Sequence, residues 1–242
     1  VDADEPVDQP DEPVDQPDES VDEASDDVAL VARRDEAVAE VERTLARRLK
    51  RTVADEQNEV LDVLRRHRGR VTLDLLFPPL EAHVQRYADA ALPTLAAAAG
   101  AGADFVRSGW PGQVGPAPRT RVGDLAEELA VEVVVPLREA VEARLADQDE
   151  DLDVLGEALR EVYRDWRATA PDEAASRAVA SAFHRAVSDQ VVPGTLLRWV
   201  VVDDTCAGNA GSPVAVGEAF PDGSTVPPAS AGCRCLVVPS AS

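Results

Sequence analysis

The sequence predicts a mainly α-helical (α+β) protein: long amphipathic helices followed by a small β-rich C-terminal subdomain that carries the cysteines. From about residue 27 to 190, apolar residues recur every three or four positions, broken by Gly, Pro and polar clusters at helix-length intervals. From Leu196 the pattern changes. Strand formers Trp199 to Val202 and Leu236 to Val238 flank a stretch rich in Gly, Pro, Asp and Ser. Three regions follow: a disordered acidic, proline-rich linker over 1–26, a helical body over 27–194 and the β-rich unit over 195–242.

The linker is read from a seven-residue repeat, EPVDQPD twice and then ESVDEAS, over residues 5 to 25. Each intact copy holds two prolines and one valine, so neither a helix nor a coiled-coil seam forms. Its acids repel one another and little apolar mass is present to bury, which favours an extended solvated spacer. The start at Val1 fits an alternative start codon or a segment of a longer polypeptide, the latter in keeping with an interdomain linker.

The first helix is expected from about Asp27 to His67, with Val38, Val41, Leu45, Leu49, Val53, Val60 and Leu64 on one stripe and a polar interruption at Glu56 to Asn58. Gly69 and Pro78-Pro79 break the chain before a second run, Leu80 to Ala99, in which Pro93 predicts a kink and Gly100 and Gly102 an end. A loop follows from Gly109 to Arg119. A third helix, about Val122 to Asp147, is expected to bend at Pro136. A fourth covers about Leu152 to Ala168, and a fifth opens at Pro171-Asp172-Glu173, where proline and acids suit a first turn, and ends near Gln190.

The chain's 242 residues carry a formal net charge of -22, which opposes general binding to nucleic acid or an anionic membrane. Residues 1 to 27 hold 13 acids and no base, whereas 11 bases face 8 acids between Arg33 and Arg70. The cluster Arg43, Arg47, Arg48, Lys50, Arg51 stands beside Glu40, Glu42, Asp55 and Glu59, so a salt-bridged solvated face is the expectation and any contact with DNA is weak. No stretch has the charge-free length of a membrane span and no basic-then-apolar leader is present, so a soluble protein without a Sec signal is expected.

All the chemistry is concentrated in the last fifth of the chain. All three cysteines lie there, as D-x-x-C at Asp203 to Cys206 and C-x-C at Cys233 to Cys235. In a strand Cys233 and Cys235 face one way and Arg234 the other, so both sulfurs meet one partner, Cys206 or a metal. Asp203, Cys206, Cys233 and Cys235 together offer an oxygen and three thiolates. Small buried thiols, with or without a disulfide, are the competing reading. Asp203 and Asp204 oppose activation of Cys206 as a nucleophile. His67, His83 and His184 are far apart in sequence and form no short-range ligand pair. With no phosphate-cradling loop, serine elbow or His-Glu-x-x-His pair, no catalytic residue is assigned and the protein is expected not to be an enzyme.

The pattern W-x3-D-D-x-C-x2-N, G-x2-F-P-x-G and P-P-x4-C-R-C resembles the C-terminal motif of the phage Mu F-like minor head (head morphogenesis) proteins, especially those of actinobacterial phages and prophages. It is carried here by Trp199, Asp203, Asp204, Cys206, Asn209, Gly217, Phe220, Pro221, Gly223, Pro227, Pro228, Cys233, Arg234 and Cys235. The run from Arg47 to Asp62 also resembles the N-terminal helices of such proteins. The resemblance implies a structural, non-catalytic component of the virion head interior, made in the host cytoplasm, with portal and capsid proteins as partners, weak contact at most with packaged DNA, and no membrane. Family members usually show C-x-x-C and then P-P-x-H-x-x-C-R-C, which looks like a ligand set. Here Asp203 replaces the first Cys and Ser230 the His, and a serine hydroxyl is a poor zinc ligand, so little or no tightly bound zinc is expected.

Overall fold

The decayed third copy of the repeat belongs to the first helix. In that copy Ser20 and Ala24 stand where the intact copies have proline, and without the missing donors and ring clashes Glu19 to Ser25 are helical. A computed structural model describes residues 19–115, 120–146, 152–202, 204–230 and 232–240. Helix α1 runs unbroken over Glu19–Arg66. The linker boundary expected at residue 26 therefore moves back, since Glu19 to Asp26 are helical; residues 1–18 lie outside the described residues.

After α1 come a single turn, α2 (Leu73–Leu76), and the long helices α3 (Leu80–Gly109), α4 (Val122–Ala146) and α5 (Leu152–Gln190). Helices α3 and α5 pack on each other, and each also packs on α1 and α4. The shared core holds Leu45, Leu49, Val53 and Val60 from α1, Leu95 and Val106 from α3, Leu137 and Val141 from α4, and Leu159, Phe183 and Val187 from α5. The helical class and the α1 stripe stand as expected. Among the described residues no helix is long and apolar enough to cross a membrane.

Three expected breaks are absent, each because packing outweighs local propensity. Pro171 does not open a fifth helix. It is buried inside α5, and one lost backbone hydrogen bond does not end the helix. Glu56 to Asn58 do not interrupt α1, because Glu56 points inward to buried partners. Gly100 and Gly102 do not end α3. Gly102 lets two helix backbones meet, since a Cβ there would clash with the Phe183 carbonyl of α5.

The C-terminal unit is a three-stranded antiparallel sheet of order β2-β1-β3, formed by β1 (Leu196–Val200), β2 (Val214–Ala215) and β3 (Leu236–Pro239). Trp199 pairs with Val237 and Val200 with Leu236. Every residue of β3 is buried, because the strand packs against α5. The sheet thus shares the helical core through Leu197, Trp199, Leu236 and Val238.

Candidate thiol centre and its supports

Cys206 lies in a 3-10 turn, Asp204–Asn209, that follows β1, and Cys233 and Cys235 lie on the segment entering β3. That segment is not itself β-strand, yet the expected alternation holds: Cys233 and Cys235 are buried and Arg234 is exposed. The strands β1 and β3 are neighbours, so the ends that carry the two cysteine groups come together. The three sulfurs lie within 4.8 Å of one another, and no disulfide joins them. Cys206 and Cys233 have an Sγ to Sγ distance of 3.5 Å. The Cys235 sulfur accepts the Val202 backbone N–H at 3.5 Å.

The remaining motif residues build the shell. Trp199 meets Phe220 edge to face with centroids 4.8 Å apart, and both are buried. Asn209, fully buried, accepts the Asp222 N–H at 3.2 Å through Oδ1, which ties the 3-10 turn to the Phe220-Pro221 turn. Gly223 has φ +87°, a left-handed conformation that a side chain disfavours, and its N–H closes the turn on the Phe220 carbonyl. Pro227 is buried and joined to Pro228 by a cis bond. Asp204 and Pro221 are exposed, and Asp203 lies outside the described residues. Ser230 is also exposed; it lines, with Cys233, Arg234, Asp172, Ser176 and Arg177, a cavity of about 510 Å³ between α5 and the cysteine segment.

What holds this unit on the helical body is a residue that motif reasoning passed over. Arg34, 4 % exposed, reaches from α1 and donates to the Cys235 carbonyl at 3.0 Å and the Arg234 carbonyl at 2.7 Å. Its Nε donates to Asp35 at 2.7 Å, and Asp35 also accepts from the Arg234 side chain at 3.0 Å. One guanidinium fork thus grips two successive carbonyls of the Cys-Arg-Cys segment. Farther out on α1, Arg198 of β1 pairs with Asp27 at 2.6 Å.

Comparison with protein-family models, curated proteins and solved structures finds no match.

A second buried polar group lies in the helical body. Glu56, 2 % exposed, accepts at Oε2 from His83 Nε2 at 2.5 Å and from the Tyr87 hydroxyl at 3.1 Å, and at Oε1 from the Tyr163 hydroxyl at 2.8 Å. Arg138 donates to His83 Nδ1 at 3.3 Å and to the Pro78 carbonyl at 2.9 Å. Arg138 can only donate, so Nδ1 accepts and the proton facing Glu56 is on Nε2. Burial, then the Glu56 charge, pushes both phenols well above the ordinary tyrosine range, so they remain donors. One carboxylate therefore joins α1, α3 and α5 directly, and α4 through His83.

His184, wholly buried in α5, donates from Nδ1 to the Ala180 carbonyl at 2.8 Å. Desolvation, with the nearby Arg34 cation, pushes its pKa down to about 3. The unfolded imidazole titrates near 6.5, so its contribution to stability is complete above that pH and is lost as pH falls from there towards 3. At pH 5 this costs about 2 kcal/mol. Denaturant midpoints of wild type and His184→Phe at pH 7.5 and 5 should show a smaller pH-induced loss in the variant. Equal losses would assign the pH effect to other groups.

The basic face of α1 is salt-bridged. Arg43 and Arg47 both bind Glu40 at 2.8 Å, Lys50 binds Asp172 at 2.7 Å and Arg51 stands 3.7 Å from Asp55. The hydrogen bonds from Arg43 and Arg47 hold the Glu40 carboxyl down at about 2.

Proposed function

We propose that this chain is a non-catalytic assembly component of a phage head, of the Mu F-like minor head kind, that binds portal or capsid proteins inside the head. The observation that carries this reading is the integration of the motif: its aromatic, asparagine, glycine and cysteine residues fold round one thiol cluster gripped by Arg34. Such a unit fixes a small sheet on a body of long helices through a shared core, which suits positioning among other subunits better than turnover. Its acidic surface and salt-bridged α1 face leave packaged DNA as a weak contact at most.

Affinity capture of the cognate portal by the purified full chain tests the reading. Specific retention that survives about 0.3 M salt is expected, because the Debye length there is already short. Failure to retain portal or capsid protein in any assembly state would overturn it.

The thiol cluster favours a second reading, a small metal- or thiol-dependent binding module with a regulatory role. Cys206, Cys233 and Cys235 fit a soft divalent ion as three buried thiolates, and zinc bound there would act as a structural crosslink. Ser230, exposed on the cavity, is no substitute for a histidine ligand. Near-stoichiometric zinc in protein purified without chelator, together with loss of all three protected thiols on chelation, would select this reading for the site.

A further inference from the structure

We propose that Cys206 and Cys233 are a site of reversible oxidation that closes to an intramolecular disulfide, with small-molecule disulfides as the oxidant and Cys235 retained as a thiol. The inference goes beyond the assembly reading and rests on the cluster alone.

The pairing follows from how each sulfur is held. Cys206 and Cys233 are 3.5 Å apart, so about 1.5 Å of approach brings them to bonding distance. Cys206 sits in a six-residue 3-10 turn and Cys233 in a loop entering β3, neither of which is fixed by a ladder of sheet hydrogen bonds. Cys235 is placed differently. Its sulfur accepts from Val202 and its carbonyl from Arg34, and it immediately precedes the fully buried β3. Cys233 and Cys235 are also separated by a single residue, so a disulfide between them would close a small ring far from the preferred disulfide geometry.

Access is asymmetric in the same sense. Cys233 lines the cavity of about 510 Å³ between α5 and the cysteine segment, whereas Cys206 and Cys235 are not among its lining residues. In the first step the Cys233 thiolate attacks one sulfur of a disulfide RSSR, forming a mixed disulfide and expelling RS⁻, which takes up the proton lost by Cys233. The Cys206 thiolate then displaces the second RS⁻, which is protonated in turn. Two cysteine thiols are oxidised and one RSSR is reduced to two RSH. The product ties the turn after β1 to the entry of β3. A thiol reductant reverses both steps.

The sequence supplies a clean readout. No lysine or arginine lies between Arg198 and Arg234, so trypsin releases Cys206 and Cys233 in one peptide, residues 199–234, and Cys235 in the next. The full chain, reduced, freed of metal by chelator and treated with oxidised glutathione, is then denatured, alkylated and digested. Expected is peptide 199–234 lighter by two hydrogens and unalkylated, with Cys235 alkylated. Cys206→Ser should accumulate glutathione on Cys233, and Cys235→Ser should still close the internal bond. A crosslink between the two peptides, or alkylation of all three cysteines after prolonged treatment of wild type, would overturn the proposal. So would failure of Cys235→Ser to form the bond while its far-UV circular dichroism remains that of wild type.

Discussion

Replacing Glu56 by alanine is expected to lower folding stability by about 3–5 kcal/mol, since breaking a buried charged network by removing one partner has a cost of that order. The carboxylate accepts three hydrogen bonds, from His83, Tyr87 and Tyr163, and its deletion strands all three donors in the core. It also removes the negative end of the relay from Arg138 through His83, leaving the guanidinium without that compensation. Glu56→Gln keeps shape and part of the acceptor capacity, so a smaller loss of about 1–3 kcal/mol is expected. Urea unfolding of both variants, with m-values compared against wild type, checks this. A Glu56→Ala loss below about 1 kcal/mol would mean that the network is not a stabilising element. The companion Tyr163→Phe removes one donor and no charge. Combining it with Glu56→Ala should cost less than the two single losses added together, because the two groups share one bond.

The helical class, the terminal sheet and the convergence of the cysteines were legible because each depends on local pattern: periodicity, strand formers and two-residue alternation. The supports were not, yet both left the same mark. Arg34 stands four positions before Val38, and Glu56 three after Val53 and four before Val60, so each charged residue occupies the apolar stripe of α1. A charge on that stripe either ends the helix or is buried with partners. Reading Glu56 as an interruption chose the first, and only tertiary structure supplies the partners, which come from α3 and α5. The same holds for His83, four residues before Tyr87 on the buried side of α3. Helix ends failed for a related reason: Pro171 and Gly102 are local breakers, and the packing that overrides or uses them is non-local. The helicity of the third repeat was the converse case. The loss of proline from the third repeat was visible in the sequence, but its likeness to the first two copies obscured the change in backbone preference.

Replacing Arg34 by methionine is expected to loosen the C-terminal unit while the helices persist. Methionine keeps much of the apolar stem but removes the donors to the Cys235 and Arg234 carbonyls and to Asp35. Two carbonyls of the cysteine segment then lose a charge-assisted partner, and the Asp35 carboxylate keeps the exposed Arg234. Each such bond contributes about 1.5–3 kcal/mol, and as the removed charge had itself been desolvated, a net loss of about 2–4 kcal/mol is expected. Arg34→Lys should restore little, because one ammonium lacks the planar fork that reaches both carbonyls. The discriminating measurement is thiol reactivity under native conditions. All three cysteines are buried in the wild type, so an aromatic disulfide reagent should modify them slowly, and the variant should react at least about tenfold faster, as expected when a local opening becomes about 1.4 kcal/mol easier. Far-UV circular dichroism should be nearly unchanged, since α1, α3, α4 and α5 retain their shared core. Thiol reactivity equal to wild type would show that β3 packing against α5 holds the unit without the arginine. A parallel collapse of helical signal would show instead that Arg34 supports the whole fold.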